Sequence, residues 1–247
     1  MNGMRRANEK KHKTVRKAKS FWNKLNKRGK RFFGGMAIIA VLVIVFLVVR
    51  IIGLFQGTTR TALEKRESDI LSEKYIEERP ELDVQLLDVN PFSRPGDSLD
   101  KINGIVIHYT ANPGTTAQNN RDYFNGLAES KETSASSHFV IGMEGEIIQC
   151  IPCDEIAYAS NNRNEDTIAI ECCIPDDTGK FSQETYDSLL HLTTWLMGRY
   201  DLKLEQVIRH YDITGKNCPK YYVEHEDAWE QFKSDLLTYI DKNGVTK

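Results

Sequence analysis

The sequence predicts one α/β domain with a central mixed β-sheet flanked by helices over residues 101–241, preceded by one transmembrane helix. Three observations carry that expectation. Short β-branched runs alternate with amphipathic helical stretches after Ile102, an uncharged apolar run fills residues 32–49, and charge is divided sharply along the chain.

The alternation is specific enough to place elements. GIVIHYT (104–110) reads as a buried strand ending in polar residues. TTAQNNRDYFNGLAE (115–129) reads as a helix with a threonine cap. HFVIG (138–142) and EIIQCI (146–151) flank MEGE as a hairpin, and TIAIECC (167–173) is a further strand. SQETYDSLLHLTTWLMGRYD (182–201) is a long amphipathic helix capped by Ser182. VIRH (207–210) reads as a last strand, and HEDAWEQFKSDLLTYIDK (225–242) as a closing helix. About 145 residues suffice to bury a core.

The apolar run FFGGMAIIAVLVIVFLVV continues after Arg50 as IIGLF, so residues 32–55 approach the ~20 apolar residues that a helix needs to cross a hydrocarbon core. Arg50 stands near the far end, where a long side chain can reach the interface. A buried core helix is rarely so uniformly apolar. A cleaved signal peptide ends in small residues, whereas this run ends in bulky ones. A permanent single span is therefore expected.

Orientation follows from charge. Residues 1–31 hold 13 of the 33 basic residues and one acid, Glu9, leaving 20 basic against 34 acidic residues in the remainder. A basic cluster directly before a span stays in the cytoplasm. The expected location is thus the bacterial cytoplasmic membrane, with a cytoplasmic tail (1–31), a span (32–55) and an extracytoplasmic remainder. That remainder comprises a stem with a leading loop (56–100), the folded domain (101–241) and a short tail (242–247). A basic run can also bind nucleic acid, but the adjacent span already accounts for the charge, so no nucleic-acid partner is expected.

Candidate chemistry lies at the predicted strand ends. His108 closes GIVIH, His210 closes VIRH, and Cys218 follows eight residues later in DITGKNCPK. Two imidazoles and a thiolate suit zinc, and three protein ligands leave a fourth position open for catalysis. On spacing alone a histidine closing a strand is more often a satisfied interior residue than a ligand. No H-E-x-x-H pair occurs, which argues against a helix-borne zinc peptidase.

Taken together, GIVIHYTANPG, SSHFVIGMEGEIIQCIP, NEDTIAIECC and IRHYDITGKNCPKYY resemble, in that order, the zinc-dependent N-acetylmuramoyl-L-alanine amidases of type 2. That family includes phage lysozyme-like amidases and the animal peptidoglycan recognition proteins. The resemblance spans about residues 101–241 and implies that family's fold. It also implies a Zn2+ cofactor on His108, His210 and Cys218 and a catalytic glutamate at Glu171. Lys216, two residues before Cys218 as in phage-type members, would stabilise an oxyanion. His138 is expected to line the substrate groove or to support the site from behind the ligands, rather than to be a fourth ligand, and Tyr109 and Asn112 to shape the groove. Several recognition proteins lack the third ligand and lack hydrolysis, so Cys218 favours an enzyme. The implied substrate is peptidoglycan, cut between the lactyl group of N-acetylmuramic acid and L-alanine. The alternative is a wall-binding protein of the same fold without turnover.

Cys150, Cys153, Cys172 and Cys173 remain. An extracytoplasmic setting permits disulfides, while positions inside predicted strands suit buried free thiols. The sequence leaves both open.

Overall fold

A computed structural model describes residues 16, 19, 20, 22–24 and 27–247; between 27 and 60 the side chains described are those of 39, 41–50 and 53. The chain divides into two compact units, Met1–Ala62 and Leu63–Lys247.

Helix α1 (Lys27–Glu73) contains the apolar run in its first-unit part, and the described side chains Ile39 and Val41 to Val49 are exposed. Among the described residues, no helix is long and apolar enough to cross a membrane. Most of the basic tail, and several side chains of the 32–55 run, lie outside the described residues.

The second unit is built on a six-stranded sheet. Its strands are β2 (Asp83–Val84), β3 (Gly104–Tyr109), β4 (Phe139–Ile141), β5 (Ile147–Gln149), β6 (Thr167–Cys172) and β7 (Val207–Arg209), in the order β2-β5-β4-β6-β3-β7. Only β4 and β5 pair antiparallel, as a hairpin; the other neighbours are parallel. The mixed sheet is the predicted one.

Side chains alternate across a strand, and here the alternation separates core from chemistry. Ile105 and Ile107 of β3, Ile168, Ile170 and Cys172 of β6, and Phe139 and Ile141 of β4 join one apolar layer. Over it pack α3 (Gln183–Tyr200), through Leu189, Leu192 and Leu196, and α6 (Glu226–Asn243), through Trp229, Phe232, Leu236 and Ile240. These recur at helical spacing, and each fully buried side chain contributes roughly 1.5–3 kcal/mol. Val140 and Ile148 point the other way, into a smaller layer with Phe124 of α2 (Ala117–Ser130). On that thinner side lies the candidate site.

The predicted caps are present. Thr116 Oγ1 accepts from Asn119 N–H at 3.1 Å and Asn119 Oδ1 accepts from Thr116 N–H at 3.2 Å, while Ser182 Oγ accepts from Thr185 N–H at 3.1 Å. Each satisfies amides that a helix start leaves unpaired.

Three segments differ from the sequence expectation. Residues 63–100 do not form a separate stem: Ile70, Ile76, Leu87 and Leu99 are buried, and β2 extends the main sheet. The scattered apolar positions that look like stem decoration are core contacts supplied by distant partners. The C-terminal tail is likewise tied in, since β8 (Val245–Thr246) pairs antiparallel with β1 (Lys74–Tyr75). Finally, the predicted strand through His210 ends at Arg209. His210 opens a short helix, α4 (His210–Thr214), whose C-cap Gly215 takes a left-handed φ of 76°.

Candidate metal centre and catalytic cleft

His108 is the fifth residue of β3, and its neighbour across the ladder is Glu171 of β6. On the other side of β3, Ile107 pairs with Arg209, so His210 emerges one residue beyond the end of β7. The chain then turns through α4. Tyr211 N–H donates to Cys218 O at 2.9 Å and Cys218 N–H to Lys216 O at 2.7 Å, which returns the cysteine beside the two histidines.

Arg209 fixes the root of this turn. Its guanidinium donates to Asp212 at 2.8 Å, to the Tyr222 carbonyl at 2.8 Å and to Glu226 at 2.6 Å. It also stacks between Tyr211 and Trp229. A buried guanidinium is stable only with such full pairing, so one residue binds α4, α6 and α5 (Lys220–Glu224) together.

The ligand atoms of His108, His210 and Cys218 lie within 4.8 Å of one another, and all three residues are buried. Cys218 Sγ lies 3.8 Å from His108 Nδ1. His210 Nδ1 is buried without a hydrogen-bond partner. A shielded imidazole nitrogen left unpaired costs free energy unless something occupies its lone pair. Burial, then the neighbouring His210 and Lys216, hold the His108 imidazole well below its ordinary range; burial and Lys216 lower His210. Both rings are therefore neutral donors. Burial pushes the Cys218 thiol up to about 12, with Glu171 adding to the effect. A hydrogen bond from the Tyr109 backbone amide, and the Lys216 charge, favour its thiolate. Two neutral imidazoles and a thiol whose proton is released when a cation binds the sulfur fit zinc.

Glu171 is half-buried, and its Oε2 is shielded without a hydrogen-bond partner. Burial raises its carboxyl to about 7, and Lys216 acts against that rise. Lys216 is exposed and lines the same cleft. The cleft has a volume of about 390 Å³, and the ligand residues share its walls with Tyr109, Phe124, Tyr158, Asn161 and Asn164.

Six of the eight residues singled out in the sequence thus converge: His108, His210, Cys218, Glu171, Lys216 and Tyr109. His138 does not. It is fully buried, its Nδ1 accepts from Ala169 N–H at 3.0 Å, and its Nε2 donates to the Glu155 carbonyl at 2.9 Å. Of the two places the sequence allows it, His138 does not take the cleft wall: both ring nitrogens are committed to backbone, and the residue ties the start of β4 to β6. Asn112 is exposed on the loop after β3 and is not among the residues lining the cleft.

Ser160 and Asn161 were not legible from the sequence. Ser160 Oγ lies 3.2 Å from His108 Nε2, and Asn161 Oδ1 lies 2.8 Å from His210 Nε2. The polar run SNNRNED has the composition of an ordinary turn, and its histidine partners are about 50 residues away. All five cysteines are free.

The Amidase_2 family, described as N-acetylmuramoyl-L-alanine amidase, matches residues 98–221. The chain is 35% identical over 173 residues to N-acetylmuramoyl-L-alanine amidase CwlL of Bacillus licheniformis, an alignment covering 64% of this chain and 47% of that protein. It is 31% identical over 180 residues to N-acetylmuramoyl-L-alanine amidase BlyA of Bacillus subtilis, covering 64% and 47%. The chain therefore spans about half the length of the curated relatives it matches. Among solved structures, the catalytic domain of XlyA superposes with a TM-score of 0.52 at 26% identity, covering 63% of this chain and 99% of that one. A mutant endolysin from Bacillus subtilis gives 0.53 at 26%, covering 63% and 98%. With the fold, the ordered motifs and the matched region in agreement, the chain belongs to the N-acetylmuramoyl-L-alanine amidase family Amidase_2.

Proposed function

We propose that the chain is a membrane-anchored, zinc-dependent N-acetylmuramoyl-L-alanine amidase. It would hydrolyse the amide between the lactyl group of N-acetylmuramic acid and L-alanine of the peptidoglycan stem peptide. The observation that carries this reading is the convergence of His108, His210 and Cys218 on one point, with Glu171 paired to His108 and a cleft open beside them. The activity named for CwlL and BlyA supports it.

His108 and His210 through their Nδ1 atoms, and Cys218 through Sγ, would hold the zinc. When bound, zinc supplies Lewis acidity, polarising a carbonyl oxygen and making water more acidic. Glu171 supplies the base. Its oxygen takes a proton as water adds to the carbonyl carbon, and returns it to the alanine nitrogen as the C–N bond breaks. A carboxyl raised to about 7 is matched to both transfers near neutral pH; a cation on the neighbouring donors shifts it towards the base form. The Lys216 ammonium faces the negative oxygen of the tetrahedral intermediate. Tyr109 and Phe124 supply the aromatic part of the cleft wall. The products are a lactyl carboxylate and a free alanine amine, so atoms and protons balance.

Anchoring rests on the apolar run at 32–55, uncharged except for Arg50, and the basic residues before it. With that orientation the domain faces the cell wall, where this amide occurs.

The test is zinc analysis of the purified chain, together with mass spectrometry of a soluble muramoyl-peptide before and after incubation. Bound zinc with separated lactyl and alanyl fragments is expected. Intact substrate with zinc bound would replace hydrolysis by wall binding.

A further inference from the structure

The two histidines each have a far-side nitrogen, and both are met by one sharp corner of the chain. His108 Nε2 faces Ser160 Oγ at 3.2 Å, and His210 Nε2 faces Asn161 Oδ1 at 2.8 Å. The ring centroids are 4.8 Å apart, close enough for consecutive residues to reach both. An amide oxygen can only accept, so His210 carries its proton on Nε2 and leaves Nδ1 as a bare lone pair. A serine hydroxyl accepts as readily as it donates; with the Cys218 thiol facing Nδ1 of the same ring at 3.8 Å, the consistent arrangement has His108 Nε2–H donating to Ser160 Oγ.

The corner is built to hold still. Asn164 Oδ1 accepts from Ala159 N–H at 3.1 Å and from Ser160 N–H at 2.6 Å. Arg163 N–H donates to Ser160 O at 3.0 Å, and the Arg163 side chain pairs with Asp166 at 2.6 Å. Asn161 takes a left-handed φ of 55°, a conformation that asparagine tolerates better than most side chains. Ser160 is buried.

We propose that the Ser160–Asn161 corner is the positioning element of the metal centre: it sets both imidazoles in the Nε2–H tautomer and aims both Nδ1 atoms at one ion. The proposal rests on the zinc reading above. Partners on the far side of ligating histidines fix ring orientation and raise ligand basicity, and their loss typically lowers metal affinity about 10–100-fold.

The experiment is zinc affinity of the 247-residue chain, measured by competition with a chromophoric chelator at fixed pH. Cobalt(II) absorption spectra report ligand geometry alongside. Asn161→Gly removes the acceptor while tolerating the positive φ, Ser160→Ala removes the hydroxyl, and Asn161→Asp retains an acceptor oxygen. Circular dichroism of each metal-free variant checks folding. The expected result is weakening of about 10–100-fold for Asn161→Gly and Ser160→Ala, with an altered cobalt spectrum, and near-native affinity for Asn161→Asp. Folded Asn161→Gly and Ser160→Ala proteins that bind zinc as tightly as the unaltered chain would overturn the positioning role while leaving the zinc reading intact. An unaltered chain that takes up no zinc would overturn both. Because Asn161 also lines the cleft, affinity rather than turnover is the deciding readout.

Discussion

His108 and Glu171 are direct partners across the parallel β3–β6 ladder. Residues paired in a sheet project to the same face, so the proposed zinc ligand and the proposed base are set side by side by backbone hydrogen bonds rather than by loop conformation. Sites carried on strands hold tighter geometry than sites on loops. The same register sends Ile107 and Ile170 to the opposite face as core, so the strands that align the chemistry also anchor it.

Glu171→Gln keeps the shape of the side chain and removes its basicity. Zinc content is expected to stay at the native level while kcat falls about 10²–10⁴-fold, the usual contribution of a positioned general base. Metal analysis beside steady-state kinetics checks this. Near-native kcat would remove Glu171 from the mechanism.

Lys216 is exposed, so solvent screens its charge. Lys216→Ala should lower kcat roughly 10–100-fold, below the ~10²–10³-fold of a buried oxyanion donor, with little change in KM or zinc content. Lys216→Arg should recover part of the loss. A change confined to KM would point to substrate binding instead.

His138 provides a pH prediction. Burial lowers its imidazole from 6.5 to about 4, so between those values the unfolded chain binds a proton that the folded chain does not. The stabilisation is full above pH 6.5 and is lost as pH falls towards 4, at most about 3 kcal/mol for this group. Proton NMR of the imidazole should show no titration until about pH 4. A midpoint near 6.5 would contradict the buried, backbone-bonded neutral ring.

Arg209→Met leaves the Asp212 and Glu226 carboxylates and the Tyr222 carbonyl without their shared donor. Thermal or urea unfolding should show a loss of about 2–4 kcal/mol. Weaker zinc binding should accompany it, because the turn from His210 to Cys218 starts there. Unchanged stability would mean that the α4–α6 packing holds the turn unaided.

The proposed span predicts that the full chain stays in the membrane pellet through alkaline carbonate extraction, while residues 63–247, a compact unit, remain in the supernatant. Release of the full chain would contradict anchoring.

Much of this was legible in the sequence because it is local. The β-branched runs, the Thr116 and Ser182 caps and the hairpin at 138–151 are determined by near neighbours. The ligand triad and Glu171 stand out through their ordered motifs. What stayed hidden depends on distant contacts. Leu87 and Leu99 look like loop residues yet are buried in the fold, and Val245 pairs with Tyr75 only after the chain has closed. His138 sits within the motif SSHFVIG, but the two backbone groups that consume its ring nitrogens come from residues 17 and 31 positions away. Ser160 and Asn161 follow the same rule.

The central claim is that this site cleaves the muramoyl–alanine amide. Its most direct measurement is the appearance of new alanine amino termini in purified peptidoglycan treated with the zinc-loaded chain, set against the Glu171→Gln protein. The account predicts steady release of alanine termini by the unaltered chain, abolished by chelation, restored by zinc and nearly absent in the variant. Zinc-loaded, folded protein that binds peptidoglycan and exposes no alanine termini would contradict it.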